Sequence, residues 1–168
     1  MDKDGPIALD GQWELYWDRL LSPDDFKVGG APPPPSGFLT LPGSWKGVIV
    51  DGRPLGGTGQ ATLRLRVRLP DSGEVPLGLR LYALSVAYRL WINGMPATAS
   101  GRVGRDAATE EPRRSLELAQ LPSGARELDL VLQISNYHFN RGGVTSPIIL
   151  DSLDGLERDR LRTWAPLW

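Results

Sequence analysis

The side chains best suited to chemistry in this 168-residue chain are concentrated in one polar and aromatic run, Ser135 to Gly143. It contains His138, the sole histidine of the chain. Because a histidine-dependent acid–base pair, triad or zinc cluster would have to rely on this one residue, a site with several histidines is excluded. The chain has no cysteine, which excludes thiolate chemistry and disulfides as well.

This run directly follows an apolar strand, at a place where loops project from the end of a β-sandwich. Its side chains either satisfy the loop backbone and pack locally or contact a ligand, and both roles stay open at this point. The residues of the candidate ligand-binding site are Asn136, Tyr137, His138, Asn140 and Arg141 from the run, together with Trp45 and Trp91.

The two tryptophans are included because an aromatic face can stack on a sugar or another flat ligand. Each is alternatively a core residue. Trp91 is the better stacking candidate, since the alternation of a strand places it on the face opposite to Leu90 and Ile92.

Several other motifs lack the features that their chemistry requires. Gly56 to Gly59 has no following lysine and hydroxyl residue, so it is not a phosphate-binding loop. The adjacent acids Asp24 and Asp25, like the Glu110-Glu111 pair, do not give two carboxylates that converge on one bond, as a glycosidase needs. Asp2 to Gly5 opens like a calcium loop but lacks the later ligands. The sequence therefore predicts no catalytic residue, no metal site and no cofactor.

A row of arginines lines one face of a predicted strand at Arg64, Arg66 and Arg68. Such a row could meet phosphate or an acidic sugar, but Glu127 and Asp129 on a later strand could neutralise it across the sheet. With a net charge of −1, the chain has no overall field that would attract nucleic acid or anionic lipid. We therefore predict no nucleic-acid partner.

Apolar and polar side chains alternate in several short segments that glycine and proline separate. The strictest alternation runs from Ala61 to Leu69, and the last strong stripe runs from Leu128 to Ile134. Asn93 and Gly94 favour a two-residue hairpin turn, because both tolerate positive φ. The pattern predicts an all-β fold, an antiparallel β-sandwich or jelly roll. A parallel sheet is disfavoured, since no long amphipathic helices separate the strands.

The connecting segments have patterns of their own. Ser22 to Phe26 begins like a short helix, with serine at the N-cap, proline next and acids in the first turn. The four-proline stretch within Gly29 to Gly37 predicts an extended loop, and Asp51 to Gly59 a glycine-rich loop. Ser152 to Arg162 fits a helix and an extended linker equally well.

A chain of this length can bury about two thirds of its unfolded surface, so one core is expected. The predicted organisation is an N-terminal tail at residues 1–8, a single β domain at residues 9–151, and a C-terminal helix or linker at residues 152–168. No window contains the roughly 18 apolar residues of a membrane helix.

The order of the motifs resembles that of galactose-binding-like jelly rolls, including the sugar-binding domain of family 2 glycoside hydrolases. The motifs are Leu41 to Trp45, Gly59 to Leu65, Ala87 to Gly94, and a late apolar strand that ends in Ser135-Asn136. No catalytic barrel follows in this chain, so the resemblance does not imply hydrolysis.

A closer resemblance adds two segments, Leu9 to Phe26 and Ser135 to Gly143. With them, the region from Leu9 to Leu156 resembles the extracytoplasmic domain of bacterial seven-transmembrane receptors with diverse intracellular modules, including histidine kinases and diguanylate cyclases. The resemblance implies a noncatalytic sensor domain in the periplasmic portion of an inner-membrane protein, attached to a membrane region that is absent from this chain.

The same resemblance implies a position near a membrane surface for Arg158, Arg160, Trp164 and Trp168, because aromatic rings favour the interface. Three functions stay open. The leading expectation is sensing, in which a carbohydrate or another small polar ligand shifts an attached receptor between states. The others are a structural or homodimerisation domain without a small ligand, and a detached accessory domain of a carbohydrate-active enzyme.

Overall fold

The computed structural model describes residues 5–27, 29–69, 71 and 73–164. Within this part, a nine-stranded antiparallel sheet folds over on itself into two layers, which confirms the predicted all-β sandwich of jelly-roll type. The elements are β1 (Ile7–Ala8), β2 (Gly11–Trp17), a 3-10 helix (Pro23–Phe26), β3 (Gly37–Leu41), β4 (Gly43–Ser44), β5 (Ile49–Val50), β6 (Arg53–Pro54), β7 (Gly59–Arg68), β8 (Leu77–Ile92), β9 (Met95–Ser100), β10 (Arg113–Gln120), β11 (Glu127–Asn136), β12 (Gly143–Val144), β13 (Ile149–Ser152) and α1 (Leu153–Trp164).

Strand β8 belongs to both layers. Its first half pairs with β13 and β10, and its second half pairs with β11 and β9. The change occurs at Ser85, whose φ of 59° lies in the left-handed region and bends the strand. The first layer therefore has the order β1-β13-β8-β10, and the second has the order β9-β8-β11-β7-β2-β3.

One hydrophobic core fills the space between the layers. Leu79 from the first layer and Trp13, Leu63 and Leu130 from the second are completely buried in it. The period-2 pattern of β7 is confirmed, because its leucines face this core while Arg66 faces outward. Strand β10, which the sequence analysis did not identify, pairs with the first half of β8 and closes the edge of the first layer.

The outer face of the second layer is covered by the segment between β2 and β3, and this cover was not expected. Leu21 is buried there: its N–H donates to Thr62 Oγ1 at 2.8 Å, and its carbonyl accepts from Gln133 Nε2 at 2.9 Å. The 3-10 helix confirms the predicted helix start, since the Ser22 N–H donates to Asp25 Oδ2 at 2.7 Å. Residues 18–27 thus form a strap across this outer face.

Two turns use residues with positive φ. Asn93 and Gly94, at 51° and 82°, join β8 to β9 and confirm the predicted hairpin. Asp51 and Gly52, at 51° and 74°, join β5 to β6. The prediction of a loop over Asp51 to Gly59 was therefore wrong at its start, because the Asp-Gly pair has the same preference for a two-residue hairpin turn as Asn-Gly.

The C-terminal segment is a helix, which settles the alternative that the sequence left open. Ser152 is its N-cap, with Oγ accepting the Gly155 N–H at 3.1 Å. Leu156 is completely buried, and Gly78 allows α1 to approach β8, because a Cβ there would overlap Leu153. The sheet starts before the predicted domain boundary, since Ile7 and Ala8 pair with β13.

No described helix has the length and apolar character needed to cross a membrane. Arg158 and Arg160 are exposed on α1. The side chain of Trp164, Trp168, and the acidic start Asp2 to Asp4 lie outside the described residues, so the predictions made for them stay predictions.

Candidate functional site

The loop after β11 is fixed by Asn136, whose side chain is completely buried. Its Nδ2 donates to the carbonyl oxygens of Gly57 at 2.9 Å and Phe139 at 2.6 Å, while its Oδ1 accepts the Phe139 N–H at 3.2 Å. Asn136 thereby closes its own turn and ties it to the loop that contains Gly57. It positions the site and has no exposed surface for a ligand.

A buried carboxylate, that of Glu110, fixes the next two residues of the same loop, Tyr137 and His138. The Glu110 side chain has no exposed surface, and its Oε1 accepts the Tyr137 N–H at 2.9 Å and lies 3.0 Å from His138 Nδ1. Its Oε2 is buried and has no hydrogen-bond partner among the described residues. Sequence reasoning gave Glu110 no role, because the residues that it holds are 27 and 28 positions away in the chain.

Trp45 is completely buried against the other side of this loop. Its Nε1 donates to the Gly57 carbonyl at 3.1 Å, and its N–H donates to the Gly142 carbonyl at 2.9 Å. Trp17 meets its ring edge to face at 5.2 Å. Trp45 is therefore a core residue, which was one of the two roles predicted for it. It has no free face on which a sugar could stack.

Trp91 occupies the outer face of the second layer, as the alternation predicted, but only 8% of it is exposed. The Arg89 guanidinium lies over its ring at 4.8 Å from the centroid. On β11 it pairs with Val131, five residues before Asn136, which corresponds to about 17 Å along a strand. The structure therefore does not bring Trp91 together with the loop residues.

Three of the predicted residues are exposed at the loop surface: His138, Asn140 and Arg141. Tyr137 is half-buried, and burial together with the nearby Asp18 carboxylate raises the pKa of its hydroxyl above the ordinary value. The phenol therefore stays neutral at physiological pH. Among the described residues, the Arg141 guanidinium has no hydrogen-bond or ion-pair partner.

A narrow cleft opens beside Arg141, between the two layers and the segment after β12. Arg141 is its only charged lining residue among those described, and Tyr82, Tyr88 and Ser146 also line it. Its free volume of about 30 Å³ suits one or two waters or a single small group of a ligand. The Tyr88 hydroxyl is buried beside Thr98, and this burial raises its pKa.

The arginine row is neutralised by acids on the neighbouring strands. Asp129 contacts Arg64 at 2.9 Å, and Glu127 contacts Arg68 at 3.7 Å, both as predicted. Arg66 is instead 3.5 Å from Glu14 on β2, and that partner was not predicted. This pairing favours a structural role for the row over phosphate binding. No group of three or more His, Cys, Asp or Glu side chains arranged to hold a metal ion occurs in the described part of the chain.

Comparisons with known proteins bear on the fold. No protein-family model matches the chain, and no curated protein matches it. A β-glucuronidase from an uncultured Clostridium species is similar, with a TM-score of 0.63 and 14% identity over 89% of this chain and 29% of that one. The Ruminococcus gnavus β-glucuronidase has a TM-score of 0.61 and 18% identity, again over 89% of this chain and 29% of that one. The structure of that enzyme in complex with D-glucuronic acid has a TM-score of 0.63 and 17% identity, over 89% of this chain and 30% of that one.

At these identities the likeness shows the fold alone, a galactose-binding-like β-sandwich. The chain spans less than a third of the length of the enzymes that it matches. Their activity is therefore a property of much longer chains.

Proposed function

We propose that this chain is a noncatalytic ligand-sensing domain of a membrane-bound bacterial signal-transduction receptor, and that its ligand binds at the loop after β11. The observation that carries this proposal is the contrast within that loop. Asn136 and Glu110 are buried and hold its backbone, whereas His138, Asn140 and Arg141 are exposed on it. A surface that is already ordered loses little conformational entropy when a ligand binds.

The exposed side chains suit a carbohydrate or another small polar ligand. An imidazole, an amide and a guanidinium together donate and accept hydrogen bonds, as hydroxyl groups require. Arg141 has no partner among the described residues and lines the cleft, so an acidic sugar would satisfy it. D-Glucuronic acid, which is bound in one of the similar structures, is therefore the first probe to test.

The role in a receptor and the periplasmic location rest on the motif order from Leu9 to Leu156. A ligand can bias an attached receptor only if it binds one state more tightly than the other. The hydrogen-bonded loop is the place where such differential binding would occur, and the adjoining cleft borders both layers of the sandwich.

The test is a titration with D-glucuronic acid and D-glucose, followed by thermal unfolding. Binding to the native state predicts a rise in Tm that grows with the logarithm of the ligand concentration above Kd, equivalent to about 2.7 kcal/mol at one hundred times Kd. His138→Ala, Asn140→Ala and Arg141→Ala should each reduce this rise, whereas Arg68→Ala, a control on an exposed and distant arginine, should keep it. If neither sugar binds, or if the three loop variants bind like the parent, the ligand site is not this loop.

A second candidate function, dimerisation without a small ligand, is favoured by an exposed apolar edge. Phe38 on β3 is 54% exposed and Ile49 on β5 is 60% exposed. A Cβ on Gly37, which precedes Phe38, would lie 4.0 Å from the Ile49 carbonyl oxygen, so the two segments are neighbours. Sedimentation over a range of concentrations would detect a dimer, and Phe38→Ser should weaken it.

A further inference from the structure

A groove with a free volume of about 200 Å³ lies on the outer side of the first layer, beside the C-terminal half of α1. It is separate from the loop site, although Tyr82 and Ser146 border both the groove and the cleft beside Arg141. The groove is lined by Arg80, Tyr82, Leu116, Ser146, Pro147 and Thr163.

Arg80 is the unusual member of this set. Its side chain is only 25% exposed, yet it donates no hydrogen bond to any described residue. Within the described part of the chain, its one ionic contact is to Asp159 Oδ2 on α1, at 3.9 Å. Arg64, by comparison, donates two hydrogen bonds of 2.9 Å to its carboxylate. A partly buried guanidinium with five unused donors is costly unless an acceptor reaches it.

We propose that this groove binds a small organic anion, a carboxylate attached to a flat apolar group. The carboxylate receives hydrogen bonds from Arg80 in the two-point geometry that guanidinium favours. The apolar group lies against Leu116, Pro147 and the ring of Tyr82. That ring is fixed in place, because the Arg114 Nε donates to its hydroxyl at 2.9 Å.

The size of the groove agrees with such a ligand. A cavity of about 150 Å³ in another protein is known to accept benzene, so about 200 Å³ admits one aromatic ring with a carboxylate. Ser146 and Thr163 border the same space; the Thr163 hydroxyl already donates to the Asp159 carbonyl at 2.9 Å, which leaves Ser146 to offer a further polar contact. An uncharged ligand would leave the Arg80 guanidinium without a carboxylate acceptor. The site therefore selects for the anionic group of the ligand.

Occupancy of the groove changes the contacts of α1. The first half of the helix is anchored by buried Leu156 against Gly78, whereas the second half bears exposed Leu161 and contacts β8 through Asp159. A carboxylate on Arg80 takes the place of Asp159, because both compete for the same cation. The anion therefore binds more tightly when Asp159 is neutral.

The experiment is a titration of the whole chain with benzoate at constant ionic strength, followed by NMR, with benzyl alcohol as the uncharged comparison. Benzoate should bind saturably and benzyl alcohol at least 10-fold more weakly. Arg80→Gln should weaken benzoate binding by about 10-fold or more, the usual effect of losing a charged hydrogen-bond pair. Arg68→Gln should leave it unchanged. Asp159→Asn should strengthen it by roughly 2- to 5-fold, the range of an exposed ion pair.

The outcomes separate this site from the loop site. Arg141→Ala should leave benzoate binding unchanged, so a failure of the sensing loop does not affect the result. Far-UV circular dichroism of Arg80→Gln checks that the variant is folded. No benzoate binding, equal binding by Arg80→Gln and the parent, or weaker binding by Asp159→Asn would each overturn the proposal.

Discussion

Arg64 and Asp129 form a two-point ion pair across β7 and β11, with Nε to Oδ1 and Nη2 to Oδ2 both at 2.9 Å. The Phe26 ring, carried by the strap of residues 18–27, lies 4.2 Å from the same guanidinium. One arginine thus joins two central strands and holds the strap against the sheet. This hydrogen bonding raises the pKa of Arg64 above its already high ordinary value.

Replacement of this arginine should cost much more stability than replacement of its neighbour on the same face. Arg64→Met leaves the Asp129 carboxylate without its partner, so we expect the free energy of unfolding to fall by about 2–3 kcal/mol. Arg68→Met removes only an exposed pair with Glu127 at 3.7 Å and should change it by less than about 0.5 kcal/mol. Urea denaturation measures both, and equal losses would contradict the anchoring role of Arg64.

Asn136 should be essential to the order of the binding loop although it does not face a ligand. Asn136→Ala leaves the Phe139 N–H and carbonyl without their partner and removes one of the donors to the Gly57 carbonyl, which keeps those from Trp45 and Gly142; this should cost about 1–3 kcal/mol. Asn140→Ala, an exposed change in the same loop, should cost less than about 0.5 kcal/mol. Amide exchange at Phe139 should accelerate in Asn136→Ala alone. Unchanged protection there would show that the turn does not depend on Asn136.

Gly142 should tolerate no side chain, because a Cβ at this position would overlap the indole of Trp45 and the Gly57 carbonyl. We expect Gly142→Ala to destabilise the protein by about 1–3 kcal/mol through overpacking. Gly56→Ala is the matched control, since a Cβ there meets nothing within 4 Å and its φ is not positive. Thermal unfolding compares the two, and similar Tm values would mean that Trp45 can shift to make room.

The strands that pack on the core were predictable because a strand with one buried face alternates apolar and polar residues in the sequence. In β7 and β11 this pattern runs without interruption from Ala61 to Leu69 and from Leu128 to Ile134, and both strands were found. The Asn93-Gly94 turn was predictable for a related reason, since few residues accept positive φ. Asp51-Gly52 has the same preference for positive φ, but the whole segment from Asp51 to Gly59 was predicted as a loop.

The site was less predictable, because its geometry depends on contacts between distant segments. No local pattern shows that Glu110 reaches Tyr137 and His138, or that the strap packs on the outer face of the second layer, where Trp91 lies. A strand pattern states which face a residue occupies, and it does not state whether another segment covers that face. For this reason Trp91 and Trp45 looked available for stacking, while exposed Arg141 was correctly placed in a projecting loop.

Tyr16 provides a test of the strap through alkaline pH. Its ring meets the Phe26 ring in a T-shaped contact, with 5.3 Å between centroids, and its hydroxyl donates to Glu14 Oε2 at 2.8 Å. Burial together with this carboxylate raises the pKa of the hydroxyl from 10.0 to about 12. The native state therefore holds this proton more tightly than the unfolded state. The resulting stability is fully present below pH 10 and is lost as the pH rises from 10 to 12.

The measurement is the free energy of unfolding in urea at several pH values between 9 and about 12, for the parent and for Tyr16→Phe. The variant lacks the ionising group, so its stability should fall less steeply over this range, and the difference between the two proteins should shrink as the pH rises. Tyr88 and Tyr137 also have raised pKa values, but they are present in both proteins and cancel in the comparison. Parallel curves would show that Tyr16 ionises as readily in the folded chain as in the unfolded one, and that the strap does not shield it.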